Sequence, residues 1–468
     1  MKPFRSSCLA LASVLAAAGA LGAARPQYGG TLRADVEAVV SSLDPASTPA
    51  DLKQSAARAR IAPLVFESLT AIEPDGLRAE LASSWQSDAR GTHWQFRMRS
   101  GVVLHDRTTL EPWQAAAAIR QREPAWKVNP DGDSLTIDTS EPTPDLPWLL
   151  ADGRHAIVVR AAGGRLIGSG PFRIDHVEPS SFLLKAHEPY WRARPFVDAV
   201  EIEMGRNLDT QVTDLEGGRA DVITVRATDV RRLTRRSLRV EASRPLELVA
   251  LVFEQQRAAD SAIAWRRTLA ATINRDAICA VVLQSEAAPA RTILPDWVSA
   301  YARVVASADG PALPASAIAA LPIDQRTILL RVDPADVVTQ AIAERLAVDA
   351  REAGFVVKVQ APAGLAPRAD ARLVRVTVPA TTADRAFAEA AGRLSVRGWP
   401  AVNLPSGPAL DATYRAEQSL LDRFIVVPVV HVAELYGVSE RVGTSLHPVA
   451  RAIGGWDLAD LWLQGGQP

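Results

Sequence analysis

Residues 327–359, TILLRVDPADVVTQAIAERLAVDAREAGFVVKV, contain the pattern that decides the fold class. Thr327–Val332 is rich in aliphatic and β-branched side chains, which favours a strand. Asp333 and Pro334 then match a helix N-cap and a first helical residue, and apolar side chains follow at helical spacing. The helix ends before Phe355–Val359, which reads as a second strand. A strand–helix–strand unit predicts a parallel pair of strands with a right-handed crossover, and therefore an α/β protein.

The first half of the chain reads as short strands joined by turns. The predicted strands are Tyr28–Asp35, His93–Arg99, Ser134–Thr139, Ala156–Arg160, Phe172–His176 and Ser181–Ala186. The last two flank a turn at Pro179 and predict a β-hairpin. Proline-rich stretches at Glu141–Pro147 and Ala306–Pro322 are predicted connections. The 468-residue chain exceeds one ordinary core, so we expect mixed sheets in two lobes.

The N-terminal residues 1–24 have the three-part layout of a secretory signal peptide. Lys2 and Arg5 precede an uncharged run, Leu9–Ala24, that ends in small residues. The run is shorter than the roughly 20 apolar residues that span a bilayer, so we favour cleavage over a retained anchor. The sequence therefore predicts an exported, periplasmic protein.

Charge and cysteine content exclude two classes of protein. Without residues 1–24 the chain has 50 basic and 53 acidic residues, a net charge of −3. This balance argues against a nucleic-acid partner, which would require a basic face. Cys279 is then the one remaining cysteine, so an internal disulfide is excluded and a packed core must stabilise the fold.

The motifs of the common catalytic sites are missing from the sequence. It contains neither the glycine-rich phosphate-binding loop nor the Gly-x-Ser-x-Gly elbow. The seven histidines show no paired metal-ligand spacing. His105 and Asp106 are adjacent, but we favour a turn after a strand over an acid–base pair, because geometry defines such a pair. We therefore predict a protein that is not an enzyme and that holds neither metal nor cofactor.

Short segments distributed along the chain resemble, in order, the extracytoplasmic solute-binding proteins of family 5, which serve peptide, dipeptide and nickel ABC importers. The matching segments are Gly29–Arg33, Ser42–Pro45, Leu64–Leu69, Leu81–Trp85, Trp94–Val102, Leu104–Asp106, Gly168–Phe172, Pro189–Trp191, Leu215–Val222, Ile273–Ile278 and Tyr436–Ser439. Each segment is weak alone, and their shared order makes the resemblance specific.

The resemblance implies a bilobed periplasmic-binding-protein-like fold with a ligand cleft between the lobes. We expect a discontinuous first lobe of residues 25–245 plus 415–468, and a second lobe of residues 246–414. The expected ligand is a small peptide or another small polar solute, enclosed when the lobes close about a hinge. The expected partner is the membrane permease of an ABC importer, and the receptor itself is expected to be a monomer.

The sequence departs from the family in three places. Arg107 stands where the family commonly has Gly after the His-Asp pair, so the turn is expected to be rebuilt. The stretch from Thr109 to Pro171 is shorter than usual. In the second lobe, Ala371–Val378 runs straight into Pro379 without the acidic loop that in peptide binders helps to hold the ligand's amino terminus. A charged clamp for peptides is therefore in doubt.

Three residues are the candidates for ligand binding. Glu254 replaces the family's Asn after the strand Leu248–Phe253, and we expect it at a lobe crossing, where it meets a cationic ligand group or pairs with an arginine. Trp399 either stacks on a ligand or fills the shortened second lobe. Ser169, within the matching segment Gly168–Phe172, is the third candidate.

Two other functional classes stay open at this point. The shortened lobes and the missing acidic loop fit a degenerate receptor-like protein that acts as a periplasmic sensor or interaction partner. An exported hydrolase would require a cleft with convergent titratable groups of perturbed pKa, which the sequence does not show.

Overall fold

The computed structural model describes residues 26–73, 76–254, 259–299, 312–360, 369–394, 410–444 and 455–464. Within these ranges the helices are α1 Leu52–Val65, α2 Pro112–Arg122, α3 Leu146–Leu149, α4 Leu208–Glu216, α5 Val230–Thr234, α6 Ala259–Thr272, α7 Arg275–Ala277, α8 Asp296–Ser299, α9 Ala315–Ala319, α10 Ile323–Arg326, α11 Val337–Glu352, α12 Ala383–Leu394 and α13 Leu410–Asp422. Among the residues described, no helix combines the length and hydropathy of a membrane-spanning segment.

Most strands belong to one large mixed sheet. The strands are β1 Thr31–Asp35, β2 Thr70–Glu73, β3 Gly76–Ala79, β4 Ala82–Ser87, β5 His93–Met98, β6 Lys127–Asp131, β7 Ser134–Asp138, β8 Val159–Arg160, β9 Leu166–Ile167, β10 Phe172–Glu178, β11 Ser181–Ala186, β12 Ala199–Glu203, β13 Val222–Val225, β14 Arg239–Phe253, β15 Ala287–Pro289, β16 Thr327–Arg331, β17 Val356–Gln360, β18 Ala371–Thr377, β19 Val426–Val438, β20 Val442–Thr444 and β21 Leu461–Leu463. The large sheet has the order β10-β11-β12-β1-β13-β19-β14-β18-β16-β17, and β15 pairs with β19.

Two long antiparallel strands, β14 and β19, run through both halves of the molecule. Their register begins at Arg239↔Val438 and ends at Val252↔Val426, and it shifts on both sides of Pro245. We call Ser243–Pro245 with Ala433–Glu434 the lobe crossing. Irregular pairing at this point interrupts the ladder, because a bulge bends its strand and leaves groups unpaired.

Separate hydrophobic cores lie on the two sides of the lobe crossing. Beyond it, alternate residues of β14 face opposite ways: one row packs with α6 and α11, and the other with α12 and α13. Before it, β1, α1 and β10–β12 form the first-lobe core. A four-stranded sheet, β4-β5-β7-β6, encloses a further core with α2, so the shortened stretch retains a packed subdomain. The predicted bilobed α/β fold is confirmed.

The strand–helix–strand unit has the predicted topology. β16 and β17 pair in parallel, with Thr327 opposite Val356, and α11 lies between them in the chain. The predicted N-cap at Asp333 was wrong: the carboxylate of Asp336 accepts from the backbone of Val338 and Thr339, and the helix begins at Val337. Asp333 instead caps the preceding turn through Ala335 N.

The strands predicted in the first half are present, with one difference, and one predicted connection in the second half also differs. Of the predicted strand Ala156–Arg160, only Val159–Arg160 pairs with another strand. The hairpin of β10 and β11 is present, with Glu178 opposite Ser181. The proline-rich connection at 306–322 contains a short helix, α9, in its described part.

The crossing strands β14 and β19 bear on where the chain passes between the lobes, and the predicted lobe boundaries stay a prediction. α13 and the first half of β19 pack in the second-lobe cores, and β19 reaches first-lobe residues only at Leu435. The predicted return at residue 415 therefore lies some 20 residues before the lobe crossing. The outward boundary at 245 coincides with the crossing strand β14.

Arg107 keeps the turn that a glycine would form. Its φ is +70°, in the left-handed region that disfavours side chains, and its amide donates to Leu104 O at 2.8 Å. Arg107 thus adopts the conformation that favours glycine, and the expectation that this turn is rebuilt relative to the family stays a prediction.

Candidate functional site

The segment Gly168–Gly170 packs against the end of α1 as closely as a backbone can. A Cβ on Gly168 would lie 2.0 Å from Val65 O, and one on Gly170 would lie 2.6 Å from Val65 C. Gly170 N donates to Val65 O at 3.0 Å. Only glycine fits at either position, so this motif joins α1 to the loop before β10.

His105 supports the same loop. Gly168 N donates to Nδ1 at 3.3 Å, which leaves Nε2–H to donate to Gly170 O at 3.0 Å. Burial lowers the pKa of His105 to about 4, so the ring is neutral at neutral pH. Asp106 accepts from Thr108 and makes no bond to His105. The interpretation of this pair as part of a turn is confirmed.

Ser169 lies inside the first lobe and binds a buried carboxylate. Its Oγ donates to Glu67 Oε2 at 2.7 Å, and Tyr190 Oη and Trp191 Nε1 donate to Glu67 Oε1, each at 2.9 Å. We call these four residues the Glu67 cluster. Ser169 is 1% exposed, so it reaches a ligand only if the lobe opens. Its predicted role in binding is not supported by this position.

The pKa of Glu67 is shifted strongly upward, to about 7. Desolvation is the main cause and the nearby Glu80 carboxylate is the second, while the donors of the cluster act in the opposite direction. Glu80 itself accepts from Ser68 N at 3.1 Å and pairs with Arg192 at 3.1 Å. The cluster therefore joins α1, the start of β4 and the loop after β11.

A cavity of about 310 Å³ lies beside the lobe crossing, between α1 and the loop 151–156. Its apolar walls include Leu43, Ala62, Pro63, Phe66, Ala71 and Ile72. Its charged lining has both signs: Arg58, Arg60, Arg154, Glu80, Asp152 and Glu434. The size lies at the lower end of the range for small-molecule sites, and the lining suits a small solute with polar groups.

Arg60 and Glu434 connect this cavity to the lobe crossing. Arg60 Nη2 lies 3.4 Å from Glu434 Oε1, and the hydroxyl of Tyr436 donates to Glu434 Oε2. The guanidinium also lies over the Tyr436 ring, 5.7 Å from its centre. Arg60 Nε has no hydrogen-bond partner among the residues described. A buried guanidinium with a free donor can bind an additional acceptor group.

Burial and neighbouring charge act in opposite directions on Arg60. Desolvation lowers its pKa, but Tyr436 and Glu434 outweigh this, and the net shift is upward. The backbone N–H of Glu434 donates to Ser243 Oγ at 3.0 Å. The charge on Arg60 is therefore permanent, and the backbone beside it is tied to β14.

Few polar contacts join the lobes away from the two crossing strands. In the described part of the chain, Arg385 Nε of α12 lies 2.5 Å from Asp145 Oδ2 of the first lobe. On the other side, the Gln284 amide accepts from Arg231 N at 3.1 Å and donates to Thr228 O at 3.0 Å. Both contacts are partly exposed to solvent, so water can replace them when the lobes move apart.

Glu254 lies at the far end of β14, nine residues beyond Pro245, and not at the lobe crossing. Its carboxylate pairs with Arg372 at 3.3 Å and with Arg331 at 3.5 Å. The expected position at a crossing was therefore wrong, and the alternative of pairing with arginine is what the structure shows. Trp399 lies outside the described residues.

The sequence did not indicate which residues meet at the lobe crossing. Trp297 Nε1 donates to Pro245 O at 2.8 Å, and the Arg244 guanidinium lies over the same indole, 6.0 Å from its centre. Neither Trp297, Arg60 nor Glu434 belongs to a recognisable motif. Only their separate placement on α8, α1 and β19 brings them close to the crossing.

Within the described ranges, no group of three or more His, Cys, Asp or Glu residues is arranged to hold a metal ion. The predicted absence of metal, cofactor and catalytic activity stays a prediction.

Comparison with known proteins gives consistent results. The sequence model described as "Bacterial extracellular solute-binding proteins, family 5 Middle" matches residues 76–414. The peptide transport periplasmic protein SapA of Salmonella typhimurium is 21% identical over 290 residues, which are 52% of this chain and 53% of that protein. Matches to curated relatives span between 26% and 53% of their lengths.

Solved structures of binding proteins share the fold. The ABC transporter substrate-binding protein CtaP of Listeria monocytogenes has a TM-score of 0.75 at 14% identity, covering 93% of this chain and 100% of that one. The oligopeptide-binding protein AppA of Bacillus subtilis, solved with a nonapeptide, has a TM-score of 0.66 at 15% identity, covering 94% of this chain and 100% of that one. At these identities the comparison is one of fold.

Proposed function

We propose a function from the premise that this chain belongs to the bacterial extracellular solute-binding proteins of family 5. The protein captures a small peptide or another small polar solute between its lobes. The lobes close about the crossing strands, and the receptor delivers its solute to the permease of an ABC importer. Proteins of this family are extracellular solute-binding proteins. The relatives named above include a peptide transport periplasmic protein and the substrate-binding protein of an ABC transporter.

The observation that supports this most is the cavity at the lobe crossing. A receptor that closes on a ligand requires a concave site where a motion of the lobes changes the volume or the lining. Glu434 lies on β19 at the crossing and also lines the cavity with Arg60. We expect a rotation at the crossing to move the carboxylate of Glu434 relative to the other lining residues, which belong to the first lobe.

The lining supports a solute that carries a carboxylate. Arg60 keeps its positive charge, its Nε is free among the described residues, and Arg58 lies two residues before it on the same helix. A charge-assisted hydrogen bond to a desolvated guanidinium is about twice as strong as a neutral one. Glu80 and Glu434 favour a second, cationic group on the same solute.

The direct test measures closure and binding together. Trp113 of the first lobe is 60% exposed and Val348 of the second is 48% exposed. Spin labels on the variant Trp113→Cys with Val348→Cys report the distance between lobes. Burial raises the pKa of the Cys279 thiol to about 11, so it reacts slowly with labelling reagents. We expect a shorter distance and a higher Tm with at least one member of a dipeptide, tripeptide and metabolite panel.

A matched pair of variants tests whether the solute binds in the cavity beside Arg60. Arg60→Met is expected to weaken binding of that solute at least about tenfold, because a charge-assisted bond is lost. Arg90→Met removes an exposed arginine and is expected to leave affinity unchanged. If no solute changes the distance or the Tm, transport binding is refuted.

A second function is favoured by one observation. The loop 378–382 after β18 contains no carboxylate, and Glu254 is already paired with two arginines. The alternative is a degenerate receptor-like protein that acts as a periplasmic sensor or interaction partner. Permease and ATPase genes beside this gene would favour import, and an isolated gene would favour the alternative.

A further inference from the structure

Arg231, Arg232, Arg235, Arg236 and Arg239 form an exposed cluster on α5 and the start of β14, which we call the arginine patch. Residues 226–241 contain six arginines and two acidic residues, whereas the whole chain has a net charge of −1. A local excess of positive charge on a slightly acidic protein creates a distinct region of positive potential.

Internal pairing neutralises only part of the arginine patch. Arg232 and Arg236 both reach Glu216, at 2.7 Å and 3.5 Å, and remain 54% and 61% exposed over a carboxylate that is 8% exposed. Arg239 lies 3.7 Å from Glu241. Arg232 and Arg236 thus share the one buried carboxylate of Glu216, and the outer faces of both guanidinium groups stay exposed to solvent.

The other two arginines are free to bind elsewhere. The side chains of Arg231 and Arg235 have no ion pair or hydrogen bond to any residue that the structure describes. The backbone bond from Arg235 N to Arg231 O, 3.2 Å, places them one helical turn apart on one face. This face presents two uncompensated guanidinium groups beside two half-compensated ones.

The composition of the patch distinguishes between macromolecular partners. Protein interfaces are anchored by buried aromatic or aliphatic side chains. Here Leu233 is 0% exposed, inside the protein, and Leu238 is half-buried, so the patch offers guanidinium groups without an apolar anchor. A layer of anionic headgroups requires no such anchor, because each arginine near its surface contributes independently.

We propose that the arginine patch holds the protein against a membrane surface rich in anionic phospholipid headgroups. The association is peripheral, reversible and sensitive to salt, since exposed charges are screened within about 10 Å at 0.1 M salt. The patch lies outside the cavity lining.

The experiment is co-sedimentation of residues 25–468 with vesicles, because the predicted signal peptide, residues 1–24, is itself basic and apolar. Phosphatidylglycerol mixed with phosphatidylcholine is compared with pure phosphatidylcholine at low and physiological salt. Wild type is expected to bind the anionic vesicles and to be released by salt. The variant Arg231→Glu with Arg235→Glu is expected to bind about 25-fold or more weakly, at about fivefold for each arginine.

A charge-matched control separates the patch from net charge. Arg90→Glu with Arg351→Glu changes two exposed arginines elsewhere by the same total charge and is expected to bind like wild type. Unchanged Tm values show that both variants fold. Absence of binding to anionic vesicles, equal loss in both variants, or binding to a soluble polyanion but not to vesicles would each overturn the proposal.

Discussion

The Glu67 cluster and the polar contacts between the lobes differ in burial and in the number of hydrogen bonds they make. Inside the first lobe, three side-chain donors reach the carboxylate of Glu67 within 3.0 Å. Glu67, Ser169 and Tyr190 are buried, and Trp191 is half-buried. Between the lobes, the described polar contacts are the partly exposed Arg385–Asp145 pair and the amide of Gln284. A saturated buried network makes the first lobe rigid, whereas partly solvated contacts exchange readily with water.

The difference predicts where substitutions act. Changes inside the Glu67 cluster should alter stability and leave the distribution of lobe positions unchanged. Changes between the lobes should alter that distribution and hardly affect stability. The predictions below test this contrast in order of decreasing effect.

Glu67→Ala is expected to have the largest effect. It leaves the donors of Ser169, Tyr190 and Trp191 without an acceptor in a dry interior, so the free energy of unfolding should fall by about 3–5 kcal/mol. Glu67→Gln keeps one acceptor oxygen and should lose less. Urea unfolding measures the loss, and a Glu67→Ala variant as stable as wild type would show that the cluster does not support the lobe.

The pH dependence of the same cluster is expected to be the next largest effect. Because burial and Glu80 raise the pKa of Glu67 to about 7, the folded state takes up a proton there before the unfolded state does. The unfolding free energy of wild type minus that of Glu67→Gln should therefore rise as pH falls from about 7 to about 4.5. The slope is at most about 1.4 kcal/mol per pH unit. Subtracting the value for Glu67→Gln removes the contribution of His105 to the pH dependence, which has the opposite sign because its pKa is lowered. A difference in unfolding free energy that does not change with pH would contradict the raised pKa of Glu67.

Arg385→Ala tests the contact between the lobes. The Arg385 side chain is 36% exposed, so the unfolding free energy should fall by at most about 1 kcal/mol. The spin-label distance without solute should nevertheless shift to longer values, because a contact that favours approach of the lobes is lost. The swapped pair Arg385→Asp with Asp145→Arg should restore the wild-type distribution. An unchanged distance in Arg385→Ala would assign closure to other contacts.

Arg107→Gly is expected to have the smallest effect, and it is stabilising. Glycine removes the strain of a positive φ but adds freedom to the unfolded chain, which leaves a net gain of about 0.5–1 kcal/mol. Thermal denaturation should show a slightly higher Tm with no change in the spin-label distance. Arg90→Gly, also at an exposed position, controls for the loss of charge.

Local patterns in the sequence predicted local structure well. The strand–helix–strand unit and the hairpin of β10 and β11 follow from periodicity and turn residues, which act over a few neighbours. The ordered motifs predicted the family. Motif residues such as Gly168 and Gly170 are required by close contact with another part of the backbone. The sequence did not identify Val65 as the residue that they contact.

The site was harder to predict because it depends on contacts distant in the sequence. Arg60 and Glu434 are separated by 374 residues, and no motif marks either one. Glu254 was predicted as a site residue because it is a charged residue after an apolar strand. However, β14 extends eight residues past Pro245, to Phe253, so Glu254 lies far from the lobe crossing. Strand length and register, which set such distances, are weakly encoded locally.

The first lobe closes its core with residues from both ends of the described chain. Leu32 packs in the same core as Trp456 and Leu463, and Phe196 N donates to Ala459 O at 3.4 Å. Contacts of such sequence separation form late and slow folding. During synthesis, the four-stranded subdomain and the second lobe are complete in continuous stretches, whereas the first lobe waits for the last strand to emerge. We therefore expect the first lobe to complete its core only after residues 455–464 have been synthesised.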